Sequence, residues 1–117
     1  VVWHGAYINW LEEARVVWLA EAGVGYAELV AEGIELPVME MFVRYHRSAR
    51  MGDRLLISAK TDQQGVRLLW EYQIYRHSEL CLTAQVSLVP VDMHRGKILR
   101  SLPKSLEGAI AKLVQSN

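Results

Sequence analysis

The stretch YINWLEEARVVWLAEA, residues 7–22, decides the fold. Tyr7, Trp10, Leu11, Ala14, Val17, Trp18 and Ala22 recur at steps of three and four, the stripe of an α-helix. Ile8, Val16 and Leu19 lie outside that stripe and are apolar too. A helix apolar most of the way round is buried on several sides. Glu12 and Arg15, three apart, can pair and leave a thin polar seam. Gly23 and Gly25 stop the helix, and a short second helix over 26–32 closes at Gly33.

Beyond Gly33 the period changes to two. In LPVMEMFVRYHR, Met39, Met41, Val43 and Tyr45 alternate with Glu40, Phe42, Arg44 and His46, which predicts a strand over 38–46. RLLISAK (54–60) predicts the next, and TDQQG is a turn. VRLLWEYQI puts Val66, Leu68, Trp70, Tyr72 and Ile74 on one face. LCLTAQVSL puts Leu80, Leu82, Ala84, Val86 and Leu88 on one face and Cys81, Thr83, Gln85 and Ser87 on the other. Short turns join the three strands between 54 and 90, so they form an antiparallel meander with one buried face. Pro103 suits the first turn of a last helix, whose stripe is Leu106, Ala109, Ile110, Leu113 and Val114. Helices segregated from an antiparallel sheet make an α+β fold. The long helix needs a curved sheet wrapped around it, with the helix tryptophans anchoring the core.

The 117 residues read as one domain, 1–117. Thirteen basic and thirteen acidic residues give no net charge. That argues against a nucleic-acid partner held by bulk electrostatics, and against a membrane surface held by charge. No apolar run is long enough for a membrane span, and no signal-type opening is visible. The single cysteine, Cys81, excludes an intrachain disulfide and fits a reducing, cytoplasmic setting. The first residue is Val1 rather than methionine, so further residues are expected upstream.

No GxGxxG, phosphate-binding GxxxxGK[ST], GxSxG or HExxH motif occurs. His4, His46, His77 and His94 are dispersed, so neither a metal nor a cofactor is expected. Cys81 reads as an inert packed thiol rather than a nucleophile. Two local features remain. In WHGAY, His4 sits at a helix N-terminus, where the positive end of the dipole disfavours imidazolium. Free backbone N–H groups there suit a developing oxyanion, and Gly5 removes side-chain bulk beside them. Equally, His4 is a structural residue and Gly5 eases entry to the helix. In RYHRSARMGDR (44–54), Arg44, Arg47, Arg50 and Arg54 either hold phosphates or form a solvated sheet end offset by Asp53.

The opening V-V-W-H-G-A-Y-x-x-W-x-E-x-A-R resembles that of hotdog-fold acyl-CoA thioesterases of the YbgC and 4-hydroxybenzoyl-CoA thioesterase type. VRYHRSARMGDRLLI resembles that family's strand, Ala-Arg step, acidic turn and next strand, and RSLPKSL resembles its tail. The resemblance implies a sheet wrapped around a central helix and hydrolysis of an acyl-CoA thioester. It implies an aspartate, as nucleophile or general base, seven residues before His4 and therefore upstream of Val1, together with an N-terminal strand. The His4 N–H would polarise the carbonyl, and the His4 side chain would orient water or shuttle a proton. Trp3, Gly5 and Tyr7 would form the acyl side of the site. Arg47, Arg50 and Arg54 are the candidates for CoA. Glu12 and Arg15 match a Glu-x-x-Arg pair with a structural role. Subunits of this type pair through their sheets, so a homodimer or homotetramer is implied. The alternative is a non-catalytic acyl-thioester binding or assembly module.

Overall fold

The computed structural model describes residues 4–50 and 52–116, and of His4 the backbone alone. Helix α1 spans His4–Glu21. Its buried row is Tyr7, Leu11, Arg15, Leu19 and Ala22. Trp10, Ala14 and Trp18 flank that row half-buried. The stripe is thus rotated about the helix axis from the one read in the sequence, and Val17 is 52% exposed. Arg15 shares that buried row. Only 8% exposed, it lies on the core face and its Nη1 donates to the Tyr72 hydroxyl at 3.1 Å. The polar seam with Glu12 is therefore not formed: Glu12 is exposed, and among the described residues the ion pairs are those of Arg76.

After Gly23, with φ +112°, helix α2 spans Tyr26–Ala31. Gly33, with φ +75°, then turns the chain into strand β1, Ile34–Glu35. The positive φ favours glycine there, and a side chain would also crowd the exposed His94 ring at 3.2 Å. The strands that follow are β2 (Val38–Tyr45), β3 (Leu55–Gln64), β4 (Arg67–Arg76) and β5 (Glu79–Leu88). They form one antiparallel sheet in the order β2-β5-β4-β3, with the expected meander and with β2 on an edge. Strands β6 (Val91–Asp92) and β7 (Lys97–Ile98) join β1 in a small second sheet. Helix α3, Lys104–Gln115, starts after Pro103 and buries Leu106, Ala109 and Ile110, while Val114 at its end is exposed.

The inner face of the large sheet carries Leu68, Trp70, Tyr72 and Ile74 from β4 and Leu82, Ala84, Val86 and Leu88 from β5, all buried. Helix α1 lies across this face. The Trp18 ring stacks on Trp70 at 6.0 Å and on Tyr72 at 6.2 Å. Each large apolar side chain fully buried here contributes about 1.5–3 kcal/mol. The anchor is Trp70 rather than the helix tryptophans, which are only half-buried.

Two bulges break the alternation read from the sequence. In β2 the register steps from Val38 to Glu40, leaving Met39 as the extra residue, 52% exposed. In β5 it steps from Leu82, opposite Ile74, to Leu80, opposite Tyr75. Cys81 is the extra residue there and is 1% exposed, which bears out a packed thiol. Ser87, on the outer face, is buried too, flanked in register by Glu40 and Leu69.

Candidate active site

Among the described residues α1 starts at His4, and its first turn is the positive end of the helix, where backbone N–H groups point along the axis out of the helix. Trp3 and the His4 side chain lie outside the described residues. Gly5 is half-buried in that first turn. Tyr7 points into the core, 3% exposed, with its ring edge-on to Trp10 at 5.4 Å and to Tyr45 at 5.7 Å. Its hydroxyl accepts the backbone N–H of Ala49 at 3.2 Å. This bond joins the start of α1 to the segment 46–54, which connects β2 to β3.

The sequence places four arginines in and around that segment, and hydrogen bonds hold its backbone at His46, Arg47, Ala49, Arg50 and Asp53. The N–H groups of His46 and Arg47 both donate to the Cys81 carbonyl, at 2.8 and 3.2 Å. Cys81 is the next partner in the β2–β5 register after Tyr45 and Leu82, so these bonds carry that ladder on into the segment. Asp53 accepts the Arg50 N–H at 2.6 Å, and Arg76 approaches the same carboxylate oxygen at 3.5 Å. The Arg50 N–H, with help from Arg76, holds the Asp53 carboxyl below the ordinary carboxylate range despite partial desolvation. Asp53 is thus engaged with a backbone N–H and with Arg76. The side chains of Arg47, Arg50 and Arg54 are exposed, and none is ion-paired among the described residues. Three free guanidinium groups on a fixed frame suit a polyanionic ligand.

A cavity of about 270 Å³ runs beside α1, lined among others by Ile8, Glu12, Arg15, Leu36, Met41 and Leu88. It begins one helical turn beyond His4. A larger trench of about 780 Å³ lies over the outer face of the sheet, between Phe42, Arg44, Ser58, Lys60, Glu71 and Gln73. That trench is on the opposite side of the sheet from α1, so the N-terminal N–H groups of the helix do not face it. Among the described residues, no three His, Cys, Asp or Glu side chains are grouped as metal ligands. Sequence reasoning found the helix start and the arginine segment. It missed the Tyr7–Ala49 bond and the Arg76–Asp53 pair, which link positions 42 and 23 residues apart and leave no local periodic signal.

The sequence pattern of the thioesterase-like superfamily matches residues 1–110 of this chain. The chain belongs to this superfamily. Among curated relatives, sll0410 of Synechocystis sp., provisionally named an esterase, is 43% identical over 98% of this chain and 71% of its own length. The acyl-CoA thioester hydrolase YbgC of Escherichia coli O6:H1 is 33% identical over 91% of this chain and 80% of its own. Among solved structures, the 1,4-dihydroxy-2-naphthoyl-CoA thioesterase Slr0204 of Synechocystis is similar with a TM-score of 0.88 at 25% identity. The similarity covers 97% of this chain and 85% of that one. The sheet with a long helix across its inner face is the hotdog fold of these thioesterases.

Proposed function

We propose that this thioesterase-superfamily chain hydrolyses the thioester of an acyl-CoA to the free acid and CoA. The observation that carries the reading is the juxtaposition, through Tyr7 and Ala49, of a helix N-terminus with an arginine-bearing segment whose guanidinium groups are exposed and make no ion pair among the described residues. The relatives named as acyl-CoA thioester hydrolases support the reaction class.

In this reading the thioester carbonyl lies at the start of α1 and accepts the His4 N–H. Attack by water, or by a carboxylate, on the carbonyl carbon puts negative charge on that oxygen. A preorganised donor there is commonly worth roughly 10²–10³ in rate. The C–S bond then breaks and the CoA sulfur leaves as thiolate, taking up the proton that the attacking water gave to the base; where the carboxylate attacks first, water then opens the acyl-aspartyl anhydride to the free acid and supplies that proton. The nucleophile or general base is an aspartate seven residues before His4, in the chain upstream of Val1. The His4 side chain orients water or moves the proton. Gly5 leaves room for the carbonyl, and Trp3 with the Tyr7 ring lines the acyl pocket. Arg47, Arg50 and Arg54 hold the CoA phosphates. The active form is a homodimer or homotetramer acting in the cytoplasm. No helix among the described residues is long and apolar enough to cross a membrane.

The test is thiol release by the protein in its full native length from a panel of aromatic and aliphatic acyl-CoAs. Release with at least one is expected. Binding of acyl-CoA without release from any member would instead make the chain a non-catalytic binding module. His4→Ala is expected to lower turnover roughly a hundredfold or more, well beyond any change in melting temperature. Full activity in that variant would remove the side-chain role and leave the backbone one.

A further inference from the structure

We propose that Tyr7 and Asp53 are positioning residues for the nucleotide end of the substrate. The proposal deepens the thioesterase reading and rests on it. Arg47, Arg50 and Arg54 have long, exposed side chains with no ion pair among the described residues, so the backbone that carries them sets where their charges stand. That backbone is pinned in its middle by one bond to the catalytic helix, from the Ala49 N–H to the Tyr7 hydroxyl at 3.2 Å. Ala49 is fully buried, so without this acceptor its N–H would be an unsatisfied donor. One residue further on, the Arg50 N–H is held by Asp53 at 2.6 Å, and Arg76 steadies that carboxylate from β4.

Tyr7 stands one turn into α1, three residues after the His4 N–H that would polarise the carbonyl. Its hydroxyl therefore registers two distant parts of the substrate, the thioester at the helix start and the phosphates at the arginines. Phenylalanine would preserve the ring contacts with Trp10 and Tyr45 and delete only the acceptor. The predicted signature is a defect that grows when the substrate carries a nucleotide.

The experiment compares kcat/KM for one acyl group carried on CoA and on N-acetylcysteamine, which has the thioester but no phosphates. Wild type, Tyr7→Phe, Asp53→Asn and Arg47→Ala/Arg50→Ala are measured in the full native chain. Tyr7→Phe is expected to lower the CoA-to-N-acetylcysteamine ratio of kcat/KM roughly three- to tenfold, as for one lost hydrogen bond, mainly through KM for the CoA substrate. Asp53→Asn changes the ratio in the same direction. It carries the test alone if Tyr7→Phe fails to fold. Adding Tyr7→Phe to the double arginine variant changes the ratio no further, because the tyrosine acts through the arginines. A ratio unchanged in both Tyr7→Phe and Asp53→Asn, or equal losses on both substrates, overturns the positioning role and leaves the function standing. Wild-type protein that hydrolyses neither thioester overturns the function and this role with it.

Discussion

At Arg15 the default local partner lost to a distant one. Glu12 stands three residues away on the helix surface, yet Arg15 turns inward to the Tyr72 hydroxyl, 57 residues along the chain. Burial pushes the Tyr72 phenol above the ordinary tyrosine range, and the nearby Arg15 cation only partly opposes this. The folded pKa therefore lies above the unfolded one. Between the two, the native state keeps a proton that the unfolded chain gives up. The Tyr72 contribution is full below about pH 10 and is lost as pH rises through the folded value. The urea midpoint should therefore fall above about pH 10. Tyr72→Phe should remove part of that alkaline fall. At neutral pH the same variant should cost about 1–3 kcal/mol, because it leaves a buried guanidinium short of an acceptor. Equilibrium urea unfolding of both proteins across pH 7–11 checks both effects. A midpoint that falls equally in both would remove the inference. The sequence could not show this pair, because spacing within a helix carries no information about what the sheet presents to it.

Element by element, legibility followed the strength of the period. Strand β4 alternates without interruption, and its buried face is the one read from the sequence. Strands β2 and β5 were read with the right face over most of their length, Met41 and Val43 in one and Leu82 to Leu88 in the other, and the reading fails at the bulges, where Met39 is exposed and Cys81 is buried. Strands β1, β6 and β7 are two residues each, too short for any period. The exposure of β2 bears on assembly. It is an edge strand, with Val38 41% and Met39 52% exposed, and an apolar edge favours pairing with another copy. Sedimentation equilibrium should give a dimer or a tetramer, and Met39→Lys should shift the distribution toward smaller species. A wild-type monomer at micromolar concentration would count against the proposed assembly.

At the scale of the whole molecule, an α+β packing of a sheet around one helix was legible from an over-apolar helix followed by alternating strands, and the resemblance of the opening motif implied the hotdog fold. The halves of the candidate site were legible as two separate motifs, the His4–Gly5 helix start and the arginine segment. Their adjacency was not, since it depends on a tyrosine hydroxyl and a peptide N–H that meet only once the sheet has wrapped the helix. The Cys81 bulge ties these scales together. Its carbonyl holds the first two N–H groups of the arginine segment, and its thiol is sealed in the same corner. The one sulfhydryl of these 117 residues is thus a built-in clock for that corner. A thiol-modifying dye reacts only during the moments when the bulge opens, so its native-state rate measures how often the segment lets go. If the arginines grip the nucleotide, saturating desulfo-CoA should slow the clock. An unchanged labelling rate would mean that ligand binding does not steady that corner.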